Sequence, residues 1–112
     1  MRIFFRTRKL QKICSESKES MKHLGAKRGL KLQQRMTELR AADSLADISR
    51  LPPARCHELT NNRKGQLSVD LEHPYRLIFI PANEPIPLRD GRLAREEVTE
   101  IEIIEVTDTH NE

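Results

Sequence analysis

The residue order predicts an α+β domain in which two N-terminal helices pack on a small, mostly antiparallel β-sheet. Two patterns point there. Residues 8–42 set apolar side chains at helical spacing with lysines and arginines opposite. From Cys56 onward, short alternating or fully apolar runs are divided by Asn, Gly and Pro. A chain of 112 residues closes one modest core, so residues 1–112 are expected to form a single domain. Aromatics are few (Phe4, Phe5, Tyr75 and Phe79), so Leu, Ile and Val must fill that core.

Taken in order, Ile3 and Phe5 share one side of a first strand over residues 1–6. A first helix is predicted from Arg8 to about Leu24, with Leu10, Ile13, Cys14, Ser17 and Met21 on its inner side. A second runs from Ala26 to Ala42. Leu32, Met36, Leu39 and Asp43 form its stripe, and Lys27, Lys31, Gln34, Arg35 and Glu38 its outer side. Gly25 and Gly29 weaken its start. Ser44 to Asp47 reads as a short capping box, and Pro52-Pro53 ends anything helical before it. Cys56 to Leu59 is a candidate strand, followed by a turn at Asn61-Asn62-Arg63-Lys64-Gly65. Leu67, Val69 and Leu71 alternate with Gln66, Ser68 and Asp70, which predicts one wet face. His73-Pro74 makes a second turn, and Arg76 to Ile80, apolar on both sides, reads as a central strand stopped by Pro81.

Residues 82–97 form a connection longer than the usual loop, either mobile or with one helical turn near its end. The last strand is placed at Val98 to Val106. Ile101 and Ile103 share a face while Ile104 and Val106 take the opposite phase, so a bulge or burial on both sides is expected there.

Charge is informative by position. Residues 1–40 carry 12 Lys/Arg against 3 Asp/Glu, and residues 41–112 carry 8 against 14. Such polarity suits either a basic face for a polyanion or simply solvated helix surfaces. No apolar run approaches the roughly 20 residues of a membrane span, and the charged N-terminus is not followed by a signal-like apolar stretch. A cytoplasmic protein is expected. Cys14 and Cys56 lack Cys-x-x-Cys spacing and read as reduced core thiols.

There is no Gly-rich phosphate loop, no Gly-x-Ser-x-Gly and no metal-ligand spacing, so no cofactor or metal is expected. What remains is a polar set near strand ends: His57, Glu58, Arg63, Lys64, Arg76, Asp108 and His110. Two histidines, an arginine and a carboxylate suffice for phosphodiester cleavage: one imidazole takes a ribose 2′-hydroxyl proton, another protonates the leaving 5′-oxygen, and the arginine holds the phosphorane charge. Each also has a plain role. His57 fits a satisfied strand histidine, Lys64 a turn residue, and Asp108 the partner of Arg76, whose apolar surroundings demand one.

Several segments resemble HigB-type toxins, the plasmid maintenance killer proteins of the RelE/ParE superfamily. They are Arg6-Thr7-Arg8-Lys9-Leu10, Leu39-Arg40-Ala41-Ala42-Asp43, Leu51-Pro52-Pro53-Ala54-Arg55-Cys56-His57-Glu58-Leu59, Gln66-Leu67-Ser68-Val69-Asp70-Leu71, Pro74-Tyr75-Arg76-Leu77-Ile78-Phe79 and Asp108-Thr109-His110. The resemblance covers nearly the whole chain in order. It implies a type II toxin that cuts mRNA in the ribosomal A site. It further implies a neutralising HigA-type helix-turn-helix antitoxin and promoter DNA bound through that antitoxin. It assigns catalysis to His57, Arg76, Asp108 and His110. Contacts to RNA and ribosome would come from Arg8, Lys9, Lys12, Lys27, Lys31, Arg35, Arg63 and Lys64. Two departures stand out: Thr60-Asn61-Asn62-Arg63 replaces the usual Lys-Gly-Asp-Arg, and Thr109 replaces a tyrosine that some relatives use. A ParE-like gyrase poison or a non-catalytic antitoxin partner on the same fold are the competing expectations.

Overall fold

The computed structural model describes residues 1–108. It is an α+β fold with three helices and a mixed five-stranded sheet, where two helices were predicted. β1 (Arg2–Phe5) leads into α1 (Arg8–Ser15), α2 (Ser17–Leu24) and α3 (Ala26–Ala41). Then follow β2 (His57–Glu58), β3 (Leu67–Asp70), β4 (Tyr75–Pro81), the small strands β5 (Leu88–Arg89) and β6 (Arg92–Leu93), and β7 (Glu100–Asp108).

The single helix expected over Arg8 to Leu24 breaks at Glu16, whose φ of −115° and ψ of 116° are extended. Side chains take the carbonyls this break exposes. The Ser20 hydroxyl donates to the Ile13 carbonyl, and Gln33 Nε2 donates to the Cys14 carbonyl at 3.2 Å and to Ser20 Oγ at 2.6 Å. Orphan backbone groups at a helix end need such partners. Gly25, at φ +83°, turns the chain from α2 into α3, a conformation side chains disfavour. Gly29 lets the two helices touch: a Cβ there would lie 2.8 Å from Met21 Sδ and 3.1 Å from the Met21 backbone nitrogen.

On α3 the stripe holds for Leu32, Met36 and Leu39, all buried. It ends differently, with Ala42 buried and Asp43 exposed. Arg35, placed on the outer side by periodicity, is instead buried at 2% exposure. Its Nε donates to the Asp70 carbonyl at 2.8 Å and its Nη1 to Glu38 at 3.1 Å, which satisfies an otherwise costly buried charge.

The sheet order is β1-β7-β4-β3-β2. β1 runs parallel to β7, and every other pairing in this sheet is antiparallel. The parallel pair joins the first strand to the last, so the helices and all the other strands lie in the connection between them. The expected bulge is present: Ile78 faces Glu105 while Phe79 faces Ile103, so Ile104 is the extra residue. Leu67, Val69, Leu77, Phe79, Ile101 and Ile103 join Leu32, Met36 and Leu39 in one core. The wet face predicted for β3 is only partly wet, because Ser68 is fully buried.

Within residues 82–97 the helical turn is there, as a 3-10 turn at Arg95–Glu97, and a hairpin precedes it. Asp90 (φ 54°) and Gly91 (φ 77°) form its bend, the conformational pair a tight hairpin demands. Asn83 fastens the connection: its Oδ1 accepts from the amides of Thr99 and Glu100 at 3.0 and 3.1 Å.

Candidate active site on the sheet face

Directly paired residues of neighbouring strands share a face. The registers therefore collect His57 and Ser68, Asp70 and Arg76, and Ile78 and Glu105 on the face away from the apolar core. His57 lies on β2, at the sheet's edge, and Arg76 lies two strands inward on β4. The predicted pair thus shares one face, two strands and one register row apart.

His57 Nδ1 lies 3.0 Å from the Arg55 carbonyl and 3.5 Å from Ser68 Oγ. A carbonyl only accepts. Neutral His57 therefore carries its proton on Nδ1 and leaves Nε2 as an acceptor, the arrangement a general base requires. Arg55 shapes this corner. Its φ of +48° is left-handed, a strained conformation for a side-chain-bearing residue. From there its Nε and Nη2 donate to the two Asp70 carboxylate oxygens at 2.7 and 3.1 Å. This is a two-pronged ion pair.

Arg76 is the more confined cation, its side chain 13% exposed. Its Nε sits 3.5 Å from Asp70 Oδ1, while its Nη1 is buried without a hydrogen-bond partner. One carboxylate thus serves two guanidiniums and leaves a net positive charge at the face. Arg63 reaches across: its Nη1 donates to Gln66 at 2.9 Å and to Glu105 at 3.0 Å. The bridge ends on Glu105, which stands in the register row of Ser68 and Ile78, both fully buried.

The expected pairing of Arg76 with Asp108 does not form. Arg76 pairs with Asp70, and its cross-strand neighbour on β7 is Thr107. Asp108 stands opposite Tyr75 at the strand's end. His110 lies outside the described residues. Asp70, Arg55 and Ser68 are the residues that sequence reasoning missed. The alternation Ser68, Asp70 and the turn at His73-Pro74 carried the signal, since a hairpin closing there sets Asp70 against Arg76.

Of the residues expected on the nucleic-acid side, Arg8, Lys9, Lys12, Lys27 and Lys64 are exposed, and Lys31 is half-buried. Arg63 is half-buried in its bridge to Glu105. Arg35 contradicts the expectation, because it is an internal tie between α3 and β3 and unavailable to an outside anion. Arg28 stacks on the Tyr75 ring at 3.9 Å, joining α3 to the start of β4.

Both cysteines are fully buried. Burial pushes the Cys14 thiol up to about 12, with Arg40 pulling slightly the other way. Burial also raises Cys56, against the pull of Arg95 and Arg50. Thiols so placed are poor nucleophiles. No helix among the described residues is long and apolar enough to cross a membrane. No protein-family model matches the chain, and no curated protein matches it.

Proposed function

We propose that the protein is the toxin of a type II toxin–antitoxin pair, an endoribonuclease that cuts mRNA on the ribosome. One observation carries the reading. His57, with Nε2 free to accept, and Arg76, with an unpartnered Nη1, lie on the sheet face away from the apolar core. His57 Nε2 takes the proton of a ribose 2′-hydroxyl. The 2′-oxygen attacks the adjacent phosphorus, the bond to the 5′-oxygen breaks, and a 2′,3′-cyclic phosphate and a 5′-hydroxyl result. Arg76, held by Asp70, faces the charge that builds on the phosphorane. With His57 as the base, the proton for the leaving oxygen is proposed to come from His110, the other histidine the resemblance implies. The exposed cations Arg8, Lys9, Lys12 and Lys27 on α1 and α3 suit a phosphate-rich, salt-sensitive contact such as ribosomal RNA. A HigA-type antitoxin is the partner proposed for the neutralised state.

Primer extension on an mRNA translated in a reconstituted system tests this. New 5′ ends inside the reading frame, dependent on both protein and ribosomes, are the expected result. Absence of such ends at protein levels well above the ribosomes would overturn the reading.

A further inference from the structure

A second cationic site lies away from the sheet face. A hollow of about 420 Å³ opens between the segment after a 3-10 turn at Leu45–Asp47 and the turn at Arg95–Glu97, lined by Ile48, Ser49, Arg50, Leu51, Arg95 and Glu96. Its frame is fixed, because the Leu45 amide donates to the Val98 carbonyl and the Cys56 amide to the Ser49 carbonyl, each at 2.9 Å.

Arg95 is the unusual member. It is 6% exposed, and among the described residues no carboxylate pairs with it. Its Nη1 donates to the Cys56 carbonyl at 3.3 Å, and its Nε is buried with no partner. The neighbouring carboxylates are taken elsewhere, since Glu96 and Glu97 both pair with Arg89. A buried guanidinium without a counterion is costly, and an anion in the adjoining hollow offsets that cost. Arg50 supplies a second positive charge at the exposed mouth.

We propose that this hollow is a binding site for a terminal phosphate group, held between Arg95 on its floor and Arg50 at its mouth. Two cations and a fixed, half-enclosed frame suit a compact dianion. The depth of Arg95 disfavours an internal phosphodiester, which must carry two ester chains past Arg50 and Leu51. The site is independent of the sheet-face reading, although Arg95 grips the chain one residue before His57.

The test is an amide chemical-shift titration of the full chain with inorganic phosphate, with sodium chloride holding ionic strength constant. Saturable shifts at Ser49, Arg50, Arg95 and Glu96 are expected. They should be lost in Arg95→Gln and weakened several-fold in Arg50→Gln, which alters only an exposed side chain and keeps the test valid if the first variant misfolds. Shifts confined to His57, Ser68 and Arg76, or an unchanged response in Arg50→Gln, would overturn the proposal. A trinucleotide without terminal phosphates should leave the four amides unmoved, and equal shifts with it would overturn the preference for a terminal group.

Discussion

The two faces of the sheet are built on opposite principles. On one, Leu67, Val69, Leu77, Phe79, Ile101 and Ile103 join α3 residues in one apolar core. On the other, Arg55, Asp70, Arg76, Arg63 and Glu105 form linked ion pairs in which two guanidiniums share Asp70 and one nitrogen stays unmatched. The first face lowers free energy by burial. The second holds excess positive charge at some expense in stability, which suits the anionic transition state of the proposed reaction. Changes on the first face should therefore cost stability, and changes on the second should cost activity.

The largest effect expected is at Phe79, fully buried on β4. Phe79→Ala should lower unfolding free energy by about 3–5 kcal/mol in a urea titration. His57→Gln is its counterpart on the other face. It should reduce ribosome-dependent cleavage by about 10²–10⁴-fold while moving the urea midpoint little, because His57 is only half-buried at the sheet's edge. Equal losses of stability in both variants would break the distinction.

Gly29→Ala sharpens the picture from the helix side. Its methyl would press on Met21 Sδ and on backbone, so a loss of about 1–3 kcal/mol is expected by thermal unfolding. The smallest effect concerns pH. Cys14 ionises near 9.0 when unfolded and only near 12 when folded. Between those values the folded state binds more protons, so stability falls as pH rises above 9, by at most about 1.4 kcal/mol per unit. Urea midpoints at pH 8 and pH 10 should show that fall, and Cys14→Ala should lessen it, leaving the share of Cys56, which burial also raises.

These contrasts also explain what was legible in the sequence. Apolar alternation revealed β3, a short run apolar on both faces revealed β4, and the change of phase after Ile103 revealed the bulge at Ile104, because each pattern reports which faces are buried. His57 and Arg76 stood out as polar groups in strand context. Arg35 was misplaced because helical spacing gives an angle around the helix but not the depth of the neighbour, here the carbonyl of Asp70. The break at Glu16 was hidden for a similar reason, since its support comes from Ser20 and from Gln33 on another helix. The shared carboxylate Asp70 depended on strand register, which emerges only when the turn at His73-Pro74 is closed. The β5–β6 hairpin was legible in Asp90-Gly91 but lay inside a segment read as loop.

The chemistry of the cut ends tests the central claim most directly. mRNA fragments from the reconstituted reaction should carry 5′-hydroxyl ends, labelled by polynucleotide kinase without prior phosphatase, and 2′,3′-cyclic phosphates upstream, with both absent when His57→Gln replaces the wild type. Fragments bearing 5′-phosphates, or unchanged cleavage by the His57→Gln variant, would contradict a His57-initiated transesterification on this sheet face.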